Sequence, residues 1–280
     1  MSKSSLEETS LEQDYQTDKT WRQRAYRDME FIKSPAARPV RILSEIIAPG
    51  QTFEQEQIYN TIVFFGSARS IDQEQAQTNL EAAEKAGNLL ELGRAKMAMK
   101  LAHYYEQAAI LSKHLSEWSM EIVQPEKRFT ICSGGGPGMM EAANRGANEA
   151  GASSIGLNIA LPHEQMPNPY QTPRISFEFH YFFTRKYWFA NQARCLIVFP
   201  GGYGTMDELF EFLTLRQTGK IVLQMPIVLF GREFWEDFLN FDQLLKWGVI
   251  NQQDMELFTI MDDPDEAFEY IKTSLIEELL

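Results

Sequence analysis

Phe129-Thr130-Ile131-Cys132-Ser133-Gly134-Gly135-Gly136-Pro137-Gly138-Met139-Met140-Glu141-Ala142-Ala143 joins a short apolar run to a helix-forming stretch through a cluster of glycines. A strand, a glycine-rich turn and a helix start in that order are the unit of a parallel sheet wrapped by helices. Glycines at the turn permit positive φ and let backbone amides approach a ligand, and the helix start adds unpaired N–H groups with partial positive charge. Such a turn is either a tight connection and nothing more, or an anion cradle.

Outward from it, six more apolar runs alternate with helical stretches: 61–66, 153–159, 175–181, 195–200, 225–230 and 257–261. The alternation predicts an α/β fold, Rossmann-like and doubly wound, with a mainly parallel sheet of about seven strands flanked by helices. Residues 73–120, rich in Ala, Leu and Glu, are too long for one crossover helix and read as a helical insertion of two helices hinged near Gly93. A last helix is expected from about Asp265, after the capping carboxylates Asp262 and Asp263 and the early Pro264. The whole of 61–280 reads as one Rossmann-like domain. Before it, 21–60 carries aromatic and aliphatic anchors between Pro35, Pro39 and Pro49, as expected of an accessory arm of short helices. Residues 1–20 are polar and acidic, the composition of a disordered tail.

The 280 residues carry a formal charge of −13, which disfavours a nucleic-acid groove, since such grooves gain affinity from clustered Lys and Arg. A small anion remains compatible, because backbone N–H groups hold it whatever the net charge. Cys132 and Cys195 each fall in an apolar run and show no CxxC or Cys/His spacing, so they read as reduced core thiols. His103, His114, His163 and His180 are scattered without ligand spacing, and neither a metal nor a cofactor is assigned. No apolar stretch reaches the ~18 residues of a membrane span. The polar start lacks the apolar centre of a signal peptide, so the expected location is the cytoplasm.

A second glycine loop, Pro200-Gly201-Gly202-Tyr203-Gly204-Thr205-Met206-Asp207-Glu208, follows the run at 195–200. In an open parallel sheet both loops lie at the carboxyl ends of their strands, where ligands bind at a topological switch point. Two loops converging on one crevice, with the hydroxyls of Ser133 and Thr205 beside the amides, indicate a phosphate. The candidate phosphate-binding residues are Ser133, Gly134, Gly135, Gly136, Gly138, Gly201, Gly202, Tyr203, Gly204 and Thr205. Neither loop is followed by Gly-Lys-Ser/Thr, and neither matches the dinucleotide fingerprint with its downstream acid, so a mononucleotide phosphate fits better.

Glu208 falls in the first turn of the helix that the second loop opens, as either a capping residue or a catalytic acid. Arg185 and Lys186 follow the strand at 175–181, as either a solvated helix end or an anion-facing pair. The ligand side of the sheet favours the second. Arg185 then holds an anion bidentately and orients Glu208, while Lys186 adds a point charge.

These residues resemble a known family. Pro200 to Glu208 is similar to the PGGxGTxxE motif of the LOG ("lonely guy") proteins, cytokinin riboside 5′-monophosphate phosphoribohydrolases formerly labelled possible lysine decarboxylases. Gly134 to Ala143 and Thr184-Arg185-Lys186 support the likeness, and Arg185 precedes Glu208 by the family's 23 residues. The resemblance covers about residues 60–235 and implies hydrolysis of the N-glycosidic bond of a nucleoside 5′-monophosphate, with Arg185 and Glu208 catalytic. It also implies a homodimer or higher homo-oligomer, and it suggests Glu164 as a ribose- or base-contacting acid. Phe182-Phe183 stands where plant-type members carry Met-His, and the arm and insertion suggest an extended bacterial-type member. Two other readings stand beside hydrolysis. One is a non-catalytic nucleotide-binding or carrier protein. The other is a decarboxylase, which requires pyridoxal phosphate on a lysine such as Lys186.

Overall fold

The computed structural model describes residues 23–162 and 166–279. The expected tail at 1–20 and the candidate Glu164 lie outside the described residues. The chain divides into two compact units, one up to Ser44 and one from Glu45 onward. In the first, α1 (Met29–Lys33) is capped by Asp28, whose carboxylate accepts from the Glu30 and Phe31 amides.

The helix α2 (Arg38–Gln55) begins in the first unit and ends in the second. Short helices divided by prolines were expected here, yet α2 runs unbroken through Pro39 and Pro49. Pro39 sits in the first turn, where a helix has no use for the missing N–H. Pro49 lies inside the helix and is buried.

The second unit is built on seven strands: β1 (Asn60–Phe65), β2 (Phe129–Ser133), β3 (Ser154–Ile159), β4 (Ser176–Phe179), β5 (Ala193–Val198), β6 (Ile227–Phe230) and β7 (Thr259–Met261). They form one sheet in the order β4-β3-β2-β1-β5-β6-β7, and every pairing is parallel. Each strand overlaps one of the seven predicted runs; inner strands covered on both faces read as continuous apolar stretches, whereas the edge strand β4 alternates, with Glu178 exposed.

The helices are α3 (Gln73–Ala86), α4 (Leu89–Glu121), α5 (Met139–Glu149), α6 (Phe182–Gln192), α7 (Tyr203–Gln217), α8 (Arg232–Phe238), α9 (Phe241–Lys246) and α10 (Pro264–Leu279). Two cores flank the sheet, and the two-residue period of each strand feeds both. In β1, Val63 and Phe65 join the core formed with α2, α6, α7, α8 and α9, while Ile62 and Phe64 join the core formed with α4, α5 and α10. Cys132 and Cys195 are free, buried and divided between these two cores.

The insertion breaks at Gly87 and not near Gly93, which lies within α4. Gly87 adopts φ +67° as the left-handed end of α3, and the Asn88 side chain then accepts from the Leu90 and Glu91 amides to start α4. A glycine followed by a capping asparagine is a stop and a start together, whereas a lone glycine only weakens a helix. Asp263 caps α10 through the amides of Asp265 and Glu266 at 2.9 and 3.0 Å, the start that the sequence signalled.

Candidate functional site

The strand order reverses direction at the β1/β5 pair: β2, β3 and β4 extend to one side of it, and β6 and β7 to the other. Connections leaving β1 and β5 therefore part there, and a crevice opens beyond the carboxyl ends of these strands. It has a volume of about 690 Å³ and is bounded by the loop after β1 (Gly66 to Arg69), the loop after β2 (Gly134, Gly136) and the loop after β5 with the first turn of α7 (Gly201 to Thr205).

Backbone hydrogen bonds knit the three loops together. The Ser67 amide donates to the Pro200 carbonyl at 3.0 Å, and the Met139 amide to the Ser67 carbonyl at 3.0 Å. Gly138 makes the second contact feasible. Its φ is +72°, and a Cβ there would stand 2.3 Å from the Ser67 carbonyl oxygen.

A buried amide network braces the first glycine loop from outside the crevice. The Ser133 hydroxyl accepts from the Gly135 amide at 3.0 Å and donates to Asn144 Oδ1 at 2.7 Å. The Asn168 carboxamide lies 3.0 Å from the carbonyls of both Gly135 and Gly136 and from Asn144 Oδ1. Gln171 Nε2 donates to the Gly135 carbonyl at 2.6 Å, and its Oε1 accepts from the crevice-lining Asn158 at 2.9 Å. Ser133, Gly135 and Gly138 thus shape the loop but do not line the crevice; Gly134 and Gly136 do.

Glu208 is buried on α7 and lines the crevice. The helix starts at Tyr203, so Glu208 is its sixth residue, in the second turn and not the first as expected. A capping role is thereby excluded, because only the first turn offers unpaired amides. Burial raises the Glu208 carboxyl from its ordinary 4.5 to about 7, against the pull of Lys186 and Arg185.

Arg185, in the first turn of α6, brings Nη2 to 3.9 Å from Glu208 Oε1, close enough for an ion pair and too long for a hydrogen bond. Its guanidinium carbon lies 5.3 Å from the Phe182 ring centroid and 5.5 Å from that of Phe189. Burial lowers the Arg185 pKa, with Glu208 and Asp207 opposing. Arg185 Nε and Glu208 Oε2 are both buried without a hydrogen-bond partner. Such orphaned atoms are costly, and two of them facing each other at the wall of a crevice fit a site built to receive a ligand.

Lys186 behaves otherwise. Its ammonium sits 3.0 Å from Asp207 and 2.7 Å from Glu211, and it is not among the lining residues. The loop Gly66 to Arg69 also lines the crevice, although no glycine cluster in the sequence marks it. Its one local mark is the single Gly66 that ends the first apolar run. Met140, Asn158, Ile159, Phe189 and Phe238 complete a largely apolar wall. Among the described residues no group of three or more His, Cys, Asp or Glu is placed to hold a metal, and no helix is long and apolar enough to cross a membrane.

A family model described as "Possible lysine decarboxylase" matches residues 140–271, a span that includes Arg185, Glu208 and the second glycine loop. "Cytokinin riboside 5'-monophosphate phosphoribohydrolase LOG" of Oryza sativa subsp. japonica is 30% identical over 153 residues, 53% of this chain and 58% of that protein. "Cytokinin riboside 5'-monophosphate phosphoribohydrolase LOG7" of Arabidopsis thaliana is 28% identical over 152 residues, 52% of this chain and 64% of that protein. The chain spans about six-tenths of the length of these curated relatives. Among solved structures, the molybdenum cofactor binding protein from the phototrophic bacterium Rippkaea orientalis superposes with a TM-score of 0.44 at 17% identity, over 76% of this chain and 96% of that one.

Proposed function

We propose, from the premise that this chain belongs to the possible lysine decarboxylase (LOG) family, that it hydrolyses the N-glycosidic bond of a nucleoside 5′-monophosphate to free base and ribose 5-phosphate. The observation that carries the reading is the facing pair of buried side chains, Arg185 and Glu208, each with an unpartnered atom, in a crevice rimmed by three strand-end loops.

Cleavage of this bond builds positive charge on the ribose, as in other glycoside hydrolyses. A carboxylate beside C1′ stabilises that charge and activates the attacking water. Glu208 takes this role, and Arg185 fixes its orientation. The loop backbones and the Thr205 hydroxyl anchor the 5′-phosphate, whose binding energy positions the sugar. The wall of Phe182, Phe189, Met140 and Phe238 suits the flat apolar faces of a base.

The test is to incubate the protein with AMP and with N6-modified adenosine monophosphates and to assay free base and ribose 5-phosphate. Glu208→Gln and Arg185→Ala are each expected to lower kcat/KM by about 10²-fold or more while remaining folded. Because the ionised carboxylate is the working form, kcat/KM should climb as pH rises through about 7 and then level off. Parent-like turnover in folded Glu208→Gln removes this residue from the mechanism. Tight nucleotide binding with no base released would instead select a carrier.

A further inference from the structure

Glu45 stands on α2, outside the crevice, and uses both its side chain and its backbone on the helix that carries Arg185. Its carboxylate accepts from the His180 amide at 2.9 Å, the Tyr181 amide at 3.3 Å and the Thr184 hydroxyl at 2.5 Å. These donors surround the start of α6, whose own cap residue, Tyr181, makes no side-chain capping bond. A helix start left without a cap loses hydrogen bonds and the favourable field of a nearby anion. Glu45 supplies both from another helix.

The backbone contribution comes from Pro49. In a regular helix the residue 49 amide would donate to the residue 45 carbonyl, and proline has no amide hydrogen to give. The Glu45 carbonyl freed in this way accepts the Trp188 indole N–H at 3.0 Å. Trp188 packs edge-on against Phe53 of α2 with centroids 5.3 Å apart, so the grip continues down both helices. One residue therefore holds α6 at its first turn and again at Trp188, with Arg185 between Thr184 and Trp188.

We propose that Glu45 is a positioning residue for the reaction, setting the Arg185 guanidinium against Glu208 by clamping the start of α6. This rests on the functional reading above. Releasing the clamp lets the first turn of α6 fray and moves Arg185 away from Glu208, whose carboxyl also faces Lys186 from α6 and Asp207 and Glu211 from its own helix.

The experiment compares the parent, Glu45→Ala and Glu45→Gln, the last keeping length and one acceptor oxygen. Steady-state kinetics with AMP are paired with a ¹³C-carboxyl NMR titration of Glu208, assigned with Glu208→Gln. Glu45→Ala is expected to lower kcat about tenfold with KM within twofold and to move the Glu208 midpoint upward by half a pH unit or more, Glu45→Gln falling between. If Glu45→Ala does not fold, Glu45→Gln decides alone by the same two readouts. A folded variant with parent kcat and an unmoved midpoint overturns the proposal. Absence of base release by the parent would strike the functional reading instead, and the NMR comparison would still judge Glu45.

Discussion

Glu208 is the residue at which function is set against stability. Its carboxyl is raised from 4.5 in the unfolded chain to about 7 in the fold, so the fold favours the protonated form. The stability this residue contributes is fully present below about pH 4.5 and is lost as pH rises through about 7. Replacement by the isosteric, uncharged amide abolishes the penalty. Glu208→Gln should be more stable than the parent at pH 8 by roughly 1–3 kcal/mol, the lower end allowing for the lost Arg185 attraction, and indistinguishable at pH 4. Chemical denaturation at the two pH values checks this, and equal midpoints at pH 8 would mean that the carboxylate is not held at a cost. The working acid would then be tolerated in its place and not selected against by folding.

Among the elements, the first glycine loop depends on side chains that come from elsewhere in sequence. Asn168 and Gln171 lie in the connection between β3 and β4, yet they hold the carbonyls of Gly135 and Gly136. Asn168→Asp keeps the shape and replaces a donor by an acceptor facing two carbonyl oxygens. The expected result is a rise of about tenfold in KM for the nucleotide, from misaligned phosphate donors, with a smaller change in kcat. A KM within twofold of the parent would show that the loop holds its form without this brace. The helix α6 carries the same lesson, since its cap is borrowed from α2 and its sequence gives no sign of that.

Across the whole molecule, the three loops that rim the crevice follow the central pair β1 and β5 and the neighbouring β2, so a bound nucleotide joins segments that are far apart in sequence. At a hundredfold excess over Kd such a ligand stabilises the fold by about 2.7 kcal/mol. A nucleoside 5′-monophosphate should accordingly raise Tm by several degrees, whereas the same nucleoside without its phosphate should do so only weakly. Equal shifts would deny the loops their anion. The sequence made the sheet legible because buried parallel strands leave uninterrupted apolar runs, and it made Arg185 and Glu208 legible through the glycine loops beside them. The break at Gly87 was missed because the decisive residue was the asparagine after it. The loop Gly66 to Arg69, the amide brace and Glu45 were hidden because each acts through contacts between distant segments, which leave no local pattern.

The engagement of Lys186 bears on the description carried by the family model that matches this chain. Burial works against the charge of this side chain, but the hydrogen bonds to Glu211 and Asp207 outweigh it and hold the group more firmly protonated than an ordinary lysine. A nitrogen held by two carboxylates carries a free lone pair less often than that of an exposed lysine, and so adds to an aldehyde more slowly. Exposure of the protein to pyridoxal phosphate followed by borohydride should therefore tag this side chain several-fold less than lysines at the periphery in a peptide map, and equal labelling would show that the two carboxylates do not restrain it.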